Sequence, residues 1–243
     1  MRIPRFYLAQ DLATGTVAHL SGVAAHHAQH VLRIKTGDRL IVFNGRGGEY
    51  LGTVSGSDKQ GVHVDIQAWE TIERESVIDV DLIQAVSSGD KMDYAVQKAV
   101  ELGVARIFPV LSERSVVNLK GERARKRVEH WQRIAISACE QCGRNRVPRV
   151  AALQGLEESL RDAGDGGARW VLSPDSGQPL SKMDRPDAPL RVLVGPEGGL
   201  TERELEAARR EGFSPMRLGE RILRTETAAA AVLAAIQALW GDF

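Results

Sequence analysis

Cysteine is scarce in this 243-residue chain: Cys139 and Cys142 are the only two. A disulfide scaffold is therefore excluded, and the usage fits a reducing, cytoplasmic compartment. No apolar run approaches the ~20 residues needed to span a bilayer. The opening MRIPRFYLAQ lacks the apolar core and small-residue cleavage site of a secretory signal, so neither membrane insertion nor export is expected. Charge of one sign is missing overall, since 32 Lys+Arg balance 32 Asp+Glu. The nucleophile-elbow pattern GxSxG and the zinc-protease pattern HExxH are absent.

What remains is an ordinary globular composition, 43% hydrophobic and 26% charged, long enough for one large domain or two modest ones. The neutral total conceals an uneven distribution. Residues 112–149 carry a net charge of +6, and residues 150–211 a net charge of −4. A concentrated basic segment is the electrostatic footprint of a nucleic-acid partner. A solvated helix face explains the same segment, and on charge alone it is the simpler account.

The first seventy residues differ in texture from the rest. They hold five of the six histidines and short β-rich stretches at 39–43, 50–54 and 61–68, separated by Gly-rich turns. That pattern predicts a small barrel, interrupted by one helix near 24–31. A polar connection over 70–76 reads as a linker. From Val77 onward, strands at 78–86, 104–111, 169–172, 190–194 and 216–218 alternate with helices. The helices are expected at 91–102, 122–142, 201–211 and 226–240. This alternation predicts a mainly parallel sheet covered on both faces. Thr201 and Glu204 form a capping-box signature, and Gly212 marks the helix end. The stretches 164–167 and 183–189 read as loops.

Two segments carry most of the chemistry. Gly195-Pro196-Glu197-Gly198-Gly199 follows an apolar strand and precedes a helix, the place where open α/β sheets hold ligands. It is neither GxGxxG nor a P-loop, and a tight structural turn accounts for it equally. In Leu218–Thr227, Ile222 and Leu223 sit among charged residues in a turn, where apolar side chains are normally avoided. A base held between them would explain their presence. Arg221 and Arg224 suit phosphate or a negatively charged base. Glu226 reads either as a catalytic carboxylate or as one favoured by a helix N-terminus.

The polar turns 113–118 and 140–148 flank the basic helix, and arginines beside amides there suit RNA contact. Cys139-Glu140-Gln141-Cys142 has the CxxC spacing but no second pair and a late position in a helix, so the cysteines read as structural. His26 and His30 are one helical turn apart without a third ligand, and no metal site is expected.

Taken together, these residues resemble a known family, the bacterial 16S ribosomal RNA uridine-N3 methyltransferases of the knotted SPOUT class. The resemblance rests on Arg5-Phe6-Tyr7, on His26-His27 through Val31-Leu32-Arg33, and on Asp90-Lys91-Met92-Asp93. It continues through residues 97–104, Ser112-Glu113-Arg114-Ser115, residues 140–144, 195–199 and 218–228. It implies a PUA-like β-barrel over 1–72 and a SPOUT-type α/β domain with a C-terminal trefoil knot over 77–243. It also implies a homodimer, S-adenosylmethionine as cofactor, and 16S rRNA of the small ribosomal subunit as partner.

By position, the cofactor residues implied are Leu172, Val194, Gly195, Pro196, Glu197, Gly198, Gly199, Leu218, Gly219, Ile222, Leu223 and Thr227. Arg224 and Glu226 are the implied catalytic pair. Arg5, Arg33, Arg46, Arg114, Arg144 and Arg146 are the implied RNA contacts. Two other functions share these signals: a non-catalytic RNA-binding protein of the same fold, and a SPOUT methyltransferase acting on tRNA or a ribose 2′-OH.

Overall fold

The computed structural model describes residues 3–117, 119–162, 167–186 and 189–243. Asn118 and the loop residues 164–166 and 187–188 lie outside them. The chain divides into two compact units, Met1–Glu75 with Cys139–Val147, and Ser76–Ala138 with Pro148–Phe243.

In the first unit, β1 (Arg5–Tyr7), β2 (Val17–Leu20), β3 (Arg39–Phe43), β4 (Glu49–Ser57) and β5 (Val62–Glu70) form a curled half-barrel. The strand order is β1-β3-β4-β5-β2. β1 runs parallel to β3, and the other neighbours are antiparallel. Period-2 patterning sets which side chains face inward. Val62, Val64 and Ile66 are buried, while the alternate residues Asp65 and Gln67 are exposed. They pack with Phe6, Leu20, Leu40 and Val42, each such side chain contributing about 1.5–3 kcal/mol on full burial. The helix expected near 24–31 is a short α1 (Gly22–His26) that widens into a π-helical turn over His27–Val31. There Leu32 N–H donates to the His27 carbonyl five residues back, at 3.0 Å.

The segment 71–75 is no free linker. Ile72 O accepts from Asn145 Nδ2 at 2.6 Å, and Arg74 Nη1 donates to Gly143 O at 3.0 Å. Glu75 receives Arg144 Nε at 2.9 Å and Nη2 at 2.5 Å. Glu49, almost fully buried, is the hub. It pairs with Arg5 and accepts from Arg74 at 3.2 Å and Asn145 at 3.3 Å. Arg5 also donates to Asn145 Oδ1 at 2.6 Å. Residues 139–147 thus enter the first unit through polar contacts that no hydrophobic period announces.

The second unit begins with β6 (Val80–Ala85), α2 (Asp90–Glu101), β7 (Arg106–Leu111) and α3 (Gly121–Cys142), whose last four residues belong to the first unit. They are followed by β8 (Arg149–Val150), β9 (Gln154–Gly155), α4 (Leu156–Arg161), β10 (Ala168–Leu172) and β11 (Gln178–Pro179). β12 (Leu190–Val194), α5 (Glu202–Arg210), β13 (Ser214–Arg217) and α6 (Thr225–Trp240) complete it. The sheet is parallel throughout, in the order β11-β13-β10-β12-β6-β7-β8, with β9 beside β7. Every residue of β6 is buried, as expected for a central parallel strand.

Helices α4 and α5 share a cluster with Ile83, Val110, Val171 and Leu193. α2 packs on α6 through the expected stripe Met92, Ala95, Val96, Ala99 and Val100. Gly103 ends α2 at φ 83°, a conformation that favours glycine. The Thr201–Glu204 capping box of α5 is present with both of its bonds.

One buried charge pins the register of the central strands. Asp81, 2% exposed, lies directly opposite Arg106 on β7 and Arg191 on β12. Arg106 grips it with two bonds, at 2.8 and 2.6 Å, and Arg191 approaches to 3.4 Å. A one-residue slip would leave this carboxylate buried without a partner, at a cost of several kcal/mol.

Glu49→Ala should lose about 3–5 kcal/mol of unfolding free energy, because it strands the buried Arg5 guanidinium. The shift in urea midpoint measures this. The carboxylate also carries an acid dependence. Burial alone would raise its pKa, but Arg5, Asn145 and Arg74 outweigh that and hold it below its ordinary 4.5. Its stabilisation is therefore complete above pH 4.5 and is lost as pH falls through the depressed value. The Glu49→Ala variant should lack that component of acid unfolding.

Candidate cofactor cleft and active site

The loops leaving the C-terminal ends of β10, β12 and β13 converge in the second unit on a cleft of about 600 Å³. Each has a local reason to turn there. After β12, Gly199 N–H closes a turn on Pro196 O at 2.9 Å, with Gly199 at φ 70°. A Cβ on Gly198 would come within 3.2 Å of the Arg114 side chain, so glycine gives the two their close approach. After β13, Gly219 sits at φ 128° and lets the chain reverse toward α6. After β10, Ser173 N–H donates to Met216 O at 2.9 Å and Ser173 Oγ meets Ser176 Oγ at 2.8 Å.

Polar contacts hold the Gly195–Gly199 loop at three points. Glu197 accepts from Lys91 Nζ at 3.0 Å and from Ser88 N and Oγ at 3.1 and 3.0 Å. Burial alone would raise the Glu197 pKa. Its backbone N–H, Lys91 and Ser88 prevail and hold it at about 2. Arg114 Nη1 donates to Gly198 O at 2.9 Å. Thr225, the first residue of α6 and 5% exposed, donates its hydroxyl to Gly195 O at 2.7 Å while accepting from Gln84 Nε2 at 3.0 Å. One hydroxyl therefore ties the Gly195–Gly199 loop, β6 and the start of α6 together.

Of the residues expected to hold a cofactor, Leu172, Val194, Gly195, Pro196, Glu197, Gly198, Gly199, Leu218, Gly219, Ile222 and Leu223 all line the cleft. Thr227 does not; it is exposed on α6. Ile222 is 81% exposed, an unusual position for an isoleucine on a cleft wall. Arg224 lines the cleft immediately before α6, and its side chain neither caps the helix nor forms an ion pair among the described residues. Glu226 is outside the lining. Its Oε2 is buried without a hydrogen-bond partner among the described residues, and so is Nε of the cleft residue Arg217.

The expected RNA arginines separate into two groups. Arg5 and Arg144 are 8% and 5% exposed, committed to Glu49 and Glu75 inside the first unit. Neither guanidinium is presented at the surface of the first unit. Arg33, Arg46 and Arg146 are exposed on the first unit, Arg46 beside Asp11 at 2.7 Å and Arg146 3.8 Å from Glu73. Arg114 lines the cleft. The cleft also includes Lys91, Ser173, Asp175, Arg217 and Thr225, which the sequence reading left out of the site. Lys91 and Thr225 sit within quoted motifs and were within reach. Residues 173–175 carried no signal beyond the end of a strand.

Comparison with known proteins agrees with this geometry. An RNA methyltransferase domain family matches residues 73–237, and an RNA methyltransferase PUA domain family matches residues 20–67. The ribosomal RNA small subunit methyltransferase E of Buchnera aphidicola (Schizaphis graminum strain) is 33% identical over 99% of this chain and 98% of its own. The Bacillus subtilis protein of that name is 32% identical over 93% and 92%.

Two solved structures superpose over the full length of both chains. A methyltransferase of Legionella pneumophila in complex with S-adenosylmethionine has a TM-score of 0.95 at 35% identity. A ribosomal RNA small subunit methyltransferase E from Neisseria gonorrhoeae, bound to S-adenosylmethionine, has 0.93 at 41% identity. With a cleft at the sheet ends, a half-barrel ahead of it in sequence and full-length similarity in both sequence and structure, this chain belongs to the ribosomal RNA small subunit methyltransferase E family of RNA methyltransferases.

Proposed function

We propose that the chain methylates N3 of one uridine in the decoding region of 16S rRNA, with S-adenosylmethionine as methyl donor. The single observation that carries this is the cleft: two glycine-bearing turns line it, Thr225 ties the start of α6 to Gly195, and Arg224 lies on the wall without an ion-pair partner among the described residues. The fit to the cofactor is good. The turns offer main-chain donors and acceptors, Leu172, Val194, Leu218, Ile222 and Leu223 offer apolar contact for an adenine, and the exposed Ile222 gains a partner. S-adenosylmethionine supplies an electrophilic methyl group on a sulfonium.

The chain's own residues do the rest by position and charge. Uridine N3 bears a proton on the Watson–Crick edge, so the base must be unpaired to enter. As that proton leaves, negative charge spreads over the ring. Arg224, with no ion-pair partner among the described residues, is placed to stabilise it. Glu226 is assigned the proton, since Oε2 is a buried acceptor without a donor among the described residues. Arg33, Arg46, Arg114 and Arg146 are proposed to hold RNA backbone. The same proposal includes Thr227 as a cofactor contact, the trefoil knot, a homodimer and a cytoplasmic site of action. No helix among the described residues is long and apolar enough to cross a membrane.

Arg224→Ala should reduce methyl transfer to small-subunit RNA by roughly 10²–10³-fold. Its affinity for S-adenosylmethionine, titrated calorimetrically, should stay within about threefold of wild type; equal loss of both would make Arg224 a binding residue. Mass mapping of the RNA product identifies the modified nucleotide, and a methyl on another base or on a ribose would overturn the N3 assignment.

Thr225→Val keeps the shape but removes the hydroxyl, leaving the Gly195 carbonyl and Gln84 amide without it. S-adenosylmethionine affinity should fall about tenfold, the equivalent of one ~1.4 kcal/mol hydrogen bond. Thr225→Ser should restore it.

A further inference from the structure

Burial of Arg144 raises the question of where the remaining positive charge of residues 112–149 is displayed. The answer lies on α3. Trp131, Ala135 and Ala138 are buried and define its inner face. At 100° per residue, Lys126 and Arg133 point the opposite way, with Arg123 beside them one turn earlier. All three are exposed. None has an ion-pair partner among the described residues, whereas their neighbours are spoken for. Arg125 lies 2.8 Å from Glu122 and 3.8 Å from Glu129, His130 bonds Asp93 at 2.7 Å, and Arg127 lies over the Trp131 ring at 6.0 Å. Glu122 and Glu129 lie along the same outward face but are engaged by Arg125, which leaves Arg123, Lys126 and Arg133 exposed without an ion-pair partner among the described residues.

We infer that Arg123, Lys126 and Arg133 form a second RNA-backbone contact surface, outside the cofactor cleft. This rests on the RNA methyltransferase function proposed above and extends it to residues that no motif marks. The three cations span about 15 Å at 1.5 Å per residue, enough to meet successive phosphates. The strip carries no exposed aromatic or large aliphatic side chain of α3, so it offers no apolar anchor of the kind a protein interface uses. It offers unpaired charge, which binds RNA by counterion release and carries no sequence information. Specificity for one uridine stays with the cleft, and the strip supplies affinity and approach.

The test is the triple variant Arg123→Gln, Lys126→Gln, Arg133→Gln in the full-length protein. Binding to a small-subunit rRNA fragment is measured from about 50 to 200 mM salt. The slope of log K against log salt should become shallower by about 2–3, near 0.7–0.9 for each phosphate that is no longer neutralised. The KM for RNA should rise, while kcat at saturating RNA, S-adenosylmethionine affinity and thermal midpoint stay at wild-type values. Arg123→Lys with Arg133→Lys should keep the slope, since charge rather than guanidinium shape is required. Arg125→Gln, which removes a paired cation, should leave it unchanged.

An unchanged slope in the triple variant overturns the inference. Weaker binding to assembled subunits with an unchanged naked-RNA slope would assign the strip to an acidic protein surface instead, and also overturns it. Failure of the wild-type protein to methylate small-subunit RNA would defeat the parent function, a result separable from either.

Discussion

The Thr225 hydroxyl joins three elements that are far apart in sequence. It donates to Gly195 O in the loop after β12, accepts from Gln84 near the end of β6, and belongs to the first turn of α6. Each bond is ordinary, at 2.7 and 3.0 Å. Their importance comes from burial, because a carbonyl or amide enclosed at this point has no water to fall back on. The hydroxyl therefore sets where α6 begins relative to the glycine loop. Arg224 and Glu226 flank it in sequence, so the same bond fixes the start of α6 from which Arg224 reaches the cleft wall.

Charge is used in opposite ways in the two units. In the second, Asp81 sits between arginines on neighbouring strands and makes the register of a continuously apolar sheet unique. Parallel strands rich in Val, Ile and Leu could otherwise slide with little penalty, since almost any register buries apolar surface. In the first, Glu49 and Glu75 draw 139–147 and 71–75 into one polar network. The buried Cys139 belongs to the same segment, and its thiol is pushed up to about 12, chiefly by burial. It is an inert packing group, in line with the structural role read from the CxxC spacing.

Periodic elements were legible and polar ones were not. The strands 39–43 and 190–194 fall at their expected limits, and α2, α3, α5 and α6 fall within a residue or two, because repeated apolar spacing and a capping box leave local marks. Strands β1, β2, β8, β9 and β11 and the helix α4 are too short to show a period. The segment 140–148 reads as a polar turn suited to RNA contact, yet Asn145 is fully buried. Arginine in a turn carries the same letter whether it meets a phosphate or a carboxylate of its own chain. In the cleft, both glycine-bearing turns were visible for what they are. Residues 173–175 were not, since they reach it only because β10 lies between β12 and β13.

Sequence alone determined the fold class, the two cofactor-type turns and their place at strand ends, because glycine conformation, apolar periodicity and helix capping are local properties. Only the tertiary structure decided which arginines are exposed and which are enclosed, and that Thr225 ties the start of α6 to the Gly195 loop. Those outcomes depend on which groups meet across 30 to 140 residues of chain, and pairing at that range is settled by the burial and desolvation of partners that no local pattern encodes.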